Sequence, residues 1–134
     1  MAGNIGRYDA REVVVTIGGQ IITGFAENTF VSCKKKENNS KTKYSAQGDA
    51  AMAVSNNSGG EIEITLMQTS PSVAYLNSLA TKGTLVPAWV KSTNAISEQY
   101  GGTAGVVLKP ADADFSDDIT DRKFTVEILD YTAK

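Results

Sequence analysis

Glu61 and Glu63 project to the same side of the run EIEITLM (61–67), about 7 Å apart by strand rise. Paired carboxylates near that separation could act as acid and base in glycoside hydrolysis. They also fit a simpler pattern, the wet face of a half-buried strand. The acidic segment ADADFSDDITD (111–121) invites comparison with a calcium loop, since from Asp112 onward Asp114 and Ser116 fall on ligand positions. The position that needs Gly is Asp117, and the one that needs Glu is Lys123, so the segment reads as a solvated loop. Cys33 beside Lys34 could carry a lowered thiol pKa or serve as a small strand residue. Histidine is absent, which excludes Ser-His-Asp and Cys-His arrangements and most zinc sites. GGTAG (101–105) lacks the Lys-Ser/Thr of a phosphate loop. Trp89 and the five tyrosines do not cluster with lysines into a stacking platform. The expectation is no catalytic residue, no metal site and no cofactor.

The elements that carry these residues follow from periodicity. In 61–67, Ile62, Ile64 and Leu66 share one face while Glu61, Glu63 and Thr65 share the other, a period-two strand. Ser70 then suits a helix N-cap and Pro71 the first helical position. Val73, Leu76, Leu79 and Ala80 recur at helical spacing, and Gly83 suits the residue after the end. The spacing predicts a short helix over about 71–82. Upstream, REVVVTI (11–17) and QIITGFA (20–26) flank Gly18-Gly19 as a tight hairpin, and 28–33 reads as a third strand. Residues 34–43 break the apolar pattern and read as a long exposed loop, with a strand over 49–56. Downstream, 84–93, 103–110 and 122–131 read as strands, with Pro87 at an edge or bulge and 94–102 as a connector. About eight strands and one helix in this order predict a mainly β domain spanning 1–134. It would be an antiparallel β-barrel or sandwich with one short flanking helix and long loops.

The 134 residues amount to one domain's worth, and 41% of them are hydrophobic, enough for a core. Thirteen basic and fifteen acidic residues leave a net charge of −2, which offers no basic excess for holding nucleic acid. No apolar run is long enough for a membrane span, and MAGNIGRYDAR lacks the apolar stretch of a signal peptide. The single cysteine can form no intrachain disulfide. The charge distribution is uneven. Residues 34–43 hold five lysines (Lys34, Lys35, Lys36, Lys41, Lys43) and one glutamate, net +4. Residues 111–121 hold five aspartates (Asp112, Asp114, Asp117, Asp118, Asp121) and no base, net −5. They read either as solvated loops or as complementary surfaces for head-to-tail association between or within rings.

YDAREVVVTIGGQIITGFAENTFVSC (8–33) and GGEIEITLMQTSPSVAYLNSL (59–79) resemble the tail tube proteins of contractile-tailed bacteriophages. The matching features are Tyr-Asp entering a strand, I-G-G-x-x-I-x-G-F-A, and I-x-I-x-L-x-Q-T-S-P-S running into a helix. The resemblance implies a structural, non-enzymatic subunit that forms hexameric rings, stacked into a hollow conduit. It implies a surrounding tail sheath protein, a tape-measure protein and then DNA in the lumen, and residence in the virion tail after assembly in the bacterial host cytoplasm. Type VI secretion tubes and phage-derived bacteriocin tubes share this architecture. A small β-barrel binding module is the alternative of another class. On the tube reading, Glu61, Glu63 and Thr65 would face the lumen, where acidic side chains discourage phosphate binding.

Overall fold

The computed structural model of the chain describes residues 6–94 and 96–134; the first five residues of the N-terminal stretch and Ala95 of the expected connector lie outside the described residues. A 3₁₀ turn (Ala10–Glu12) leads into β1 (Val13–Ile17), β2 (Gln20–Ile22), β3 (Val31–Lys35), β4 (Ser40–Tyr44), β5 (Ala50–Val54) and β6 (Gly60–Met67). Helix α1 (Ser72–Lys82) follows, then β7 (Val86–Ser92), β8 (Glu98–Val107), β9 (Asp121–Ile128) and β10 (Thr132–Ala133). All strand pairing in the main sheet is antiparallel, in the order β2-β1-β7-β8-β9-β6-β3, with β10 added beside β8. The sheet folds over itself like a sandwich. It does not close into a barrel, because β2 and β3 each have a single partner strand.

Local sequence explains most of these boundaries. Gly18 and Gly19 adopt φ of 62° and 83°, so Ile17 pairs with Gln20 across a two-residue turn. Along β6 the residues alternate between buried and more exposed, with Ile62, Ile64 and Leu66 at 0% exposure. They join Val15, Ile17, Ile22, Val90, Phe124, Val126 and Ile128 in one core with Leu76 of α1. The helix begins one residue later than the spacing predicts, at Ser72, and Pro71 holds the cap position without a side-chain cap bond. Ser70 instead donates its hydroxyl to the Thr23 carbonyl (2.5 Å) and accepts from the Ser72 amide (3.2 Å). The start of the helix is thereby tied to the strand connection. Tyr75 donates to the Ile17 carbonyl at 2.9 Å, fastening the same helix to the β1–β2 turn. Gly83, at φ 64°, ends the helix by donating to the Leu79 carbonyl.

Three expectations need correction. Residues 34–43 are not one long loop: β3 runs to Lys35, and Ser40–Tyr44 pairs with Ala50–Val54 in a separate two-stranded sheet. The turn that closes it is made by Ser45, whose hydroxyl accepts from the Asp49 amide (3.0 Å), and by Gly48 at φ 93°. Turn chemistry here overrides the polar composition. The connector 94–102 ends early, because β8 already starts at Glu98. Gly101 lies within that strand at φ 137°, where a Cβ would lie 2.1 Å from the Ala88 carbonyl oxygen, so only glycine fits this close approach. The last expected strand, 122–131, stops at Ile128 as β9, since the Asp130 carboxylate accepts from the Thr103 and Ala104 amides at 3.1 and 3.0 Å and draws the chain into a turn. The Thr103 hydroxyl, which donates to the same carboxylate at 2.5 Å, together with those amide bonds holds the Asp130 carboxyl below its ordinary range. Pro87 does mark a bulge: the β7–β8 register shifts between Val86 and Ala88.

Cys33 packs against the core rather than facing solvent, and this burial pushes its thiol up to about 11. The folded state therefore keeps its proton where an unfolded thiol, near 9.0, has lost it. The stability tied to this group is complete below pH 9.0 and falls away as pH climbs toward about 11. Alkylation of Cys33 is accordingly expected to stay slow at pH 8 and to accelerate only in strongly alkaline buffer, read by mass spectrometry. Fast labelling at neutral pH would contradict the packing. Leu76→Ala is expected to cost about 2–5 kcal/mol in urea denaturation, the range for emptying a fully buried leucine site; a loss under about 1 kcal/mol would mean that α1 is not the lid of this core.

Candidate assembly surfaces

Because β6 buries its even-numbered side chains, Glu61, Glu63 and Thr65 necessarily emerge on the outer face of the sheet. Register places their neighbours. Lys34 and Ser32 of β3 lie opposite Glu61 and Glu63, and Glu127, Thr125 and Lys123 of β9 lie opposite Glu61, Glu63 and Thr65. The result is a polar face with acids and bases interleaved. The Lys34 ammonium reaches Glu61 at 2.9 Å, and that bond raises the lysine's pKa. Lys36 pairs with Glu127. Glu63 has no salt bridge among the described residues and lines a shallow depression of about 250 Å³ with Thr29, Ser32, Thr65 and Lys123. Nothing there resembles a substrate cleft, and the glycosidase geometry considered for Glu61 and Glu63 is compromised by the Lys34 ion pair.

The structure divides the basic run into two groups. Lys34 and Lys36 are engaged by acids of their own chain, and Lys35 donates to the Asn39 side chain. Lys41 and Lys43 stand on the β4–β5 hairpin, exposed and without a salt bridge among the described residues. Cross-strand pairing puts them opposite Ala53 and Ala51 on one face. The other face carries Tyr44, Met52 and Val54, which are 72, 65 and 68% exposed. Every residue of β5 is exposed. This hairpin is an arm: two strands and two uncovered faces, with no third strand beside them among the described residues. An isolated two-stranded ribbon is marginal in water.

The acidic run is a structured loop up to Thr120, and its last aspartate, Asp121, begins β9 opposite Met67. Its organiser is Arg122, a residue without an expected role in the sequence reading. At 5% exposure, Arg122 points inward and donates to the Asp114 carbonyl (3.2 Å), the Asp121 carbonyl (3.0 Å) and the Thr120 hydroxyl (2.7 Å). Its guanidinium also stacks 5.2 Å from the Phe115 ring centroid. The loop's interior is thus occupied by a cation of the same chain. The aspartate side chains turn outward: Asp112, Asp114, Asp117 and Asp118 are all exposed, and among the described residues only Asp112 makes a salt bridge, to Lys109 at 3.7 Å. Between them sit Phe115 and Ile119, 79 and 58% exposed. A third uncovered surface lies over β1–β2, an apolar groove of about 610 Å³ lined by Val14, Ile21, Phe25 and Phe30.

No family model matches the chain, and no curated protein matches it in sequence. Solved structures do match in fold. The sheath/tube terminator of an extracellular contractile injection system (PVC, extended state) aligns with a TM-score of 0.63 over 96% of this chain and 96% of that one, at 12% identity. The tube-terminating cap of the anti-feeding prophage aligns at 0.61 over 100% and 95%, at 10% identity. The PVC sheath-tube complex in its extended state aligns at 0.61 over 96% and 91%, at 11% identity. What this chain shares with them is the fold, from one end to the other.

Proposed function

We propose that this chain is a structural subunit of a phage-tail-like tube. Copies join into hexameric rings, and the rings stack into a hollow conduit for DNA delivery. A sheath protein surrounds that conduit, and a tape-measure protein fills it before DNA does. The observation that carries the reading is the end-to-end fold likeness to parts of contractile injection systems. Three features are consistent with it. The sheet has free edges at β2 and β3, which neighbours in a ring could cover. A two-stranded arm leaves the body with both faces bare. The outer face of β6, with Glu61, Glu63 and Thr65, is the surface we assign to the lumen. Its acids lie among lysines of which Lys34 and Lys36 are already paired, so it offers phosphate little to hold. On this account the chain is not an enzyme, and it resides in the tail of the particle after assembly in the host cytoplasm.

A second reading is that the chain caps a tube rather than building its length, as two of the structurally similar proteins are described as a terminator and a cap. A tube of a bacteriocin or a type VI-like secretion system would use the same subunit design without virion DNA. Negative-stain electron microscopy of the purified protein at rising concentration separates the readings. Rings that stack into tubes of growing length are expected. Single rings that never stack would favour a cap, and monomers at every concentration would overturn the assembly role.

A further inference from the structure

The charged segments are rooted at opposite ends of the main sheet. The hairpin arm leaves the sheet where Lys35 pairs with Gly60, beside the Gly60–Ile128 end of the β6–β9 ladder. The acidic loop leaves it at the other end, where Met67 pairs with Asp121. Gln68 reinforces that end by accepting from the Thr120 amide at 3.2 Å. The eight residues of β6 therefore hold the roots of the two segments about 23 Å apart by strand rise.

Resting on the tube reading above, we infer that the β4–β5 arm of one copy docks on the Leu108–Asp121 pole of the next copy along the tube axis. Two matches carry this. Among the described residues the arm's Lys41 and Lys43 make no salt bridge, and neither do Asp114, Asp117 and Asp118 of the opposite pole. Each surface also carries bare apolar groups: Tyr44, Met52 and Val54 on the arm, Phe115 and Ile119 on the pole. A rigid body with complementary surfaces at opposite ends makes a heterologous contact that propagates without closing. Opposed charges fix which end meets which, since like ends would juxtapose lysines or aspartates. The arm gains a covering surface that its own chain does not provide. Lys34, Lys35 and Lys36 are excluded from this contact by their partners within the chain.

The test uses two charge-reversed variants of the full chain, Lys41→Glu/Lys43→Glu and Asp117→Lys/Asp118→Lys. All four positions are exposed. Alone, each variant is expected to form rings but to need at least about tenfold more protein than the wild type before stacks appear. Mixed in equal amounts they should stack again, because each variant's arm then meets a pole of opposite charge. Recovery in the mixture also shows that both variants are folded. If either variant stacks like the wild type, or if the mixture fails to recover, the docking is wrong while the tube reading survives. A wild type that forms neither rings nor stacks contradicts both.

Discussion

The architecture depends on one constraint, the strict alternation of β6. Ile62, Ile64 and Leu66 have no solvent exposure, and they tie β3 and β9 to the helix across a shared core. A slip of one residue would bury Glu61, Glu63 and Thr65 and expose the isoleucines. Everything polar on the outer face follows from that register: the Lys34–Glu61 pair, the Lys36–Glu127 pair and the open carboxylate of Glu63. The same strand acts as a spacer. Its length sets the distance between the root of the arm at one end and that of the acidic loop at the other.

Where elements were legible in the sequence, a local physical rule and a burial rule agreed. The β1–β2 hairpin had two glycines for its turn and valines for its buried side. The β6–α1 passage had period two, then helical spacing, with Gly83 to stop it. The missed strand, β4, lacked a buried side, whereas β5 lies within the strand expected over 49–56. The β4–β5 arm alternates Lys41 and Lys43 with Thr42 and Tyr44, but neither face meets the core, so hydrophobic periodicity is silent there. The early start of β8 was hidden by Gly101-Gly102, residues that ordinarily punctuate strands but here pair within one.

The candidate surfaces were legible as charge and illegible as pairing. Sequence separated a basic run from an acidic one. It could not reveal that strand register hands Lys34 and Lys36 to Glu61 and Glu127, which lie far along the chain. Nor could it reveal that Arg122 turns inward and shapes the acidic loop from beneath, leaving its carboxylates to face outward. Long-range register decided which charges remain free, and those free charges define the poles.

The central claim is that the arm is completed by a neighbouring copy. Amide hydrogen exchange of residues 40–54, compared between dissociated and assembled protein, tests it most directly. The ribbon is marginal when uncovered, so its amides should exchange rapidly in dissociated protein and become strongly protected on assembly, while β6 stays protected in both states. Equal protection of the arm in the two states would contradict the account.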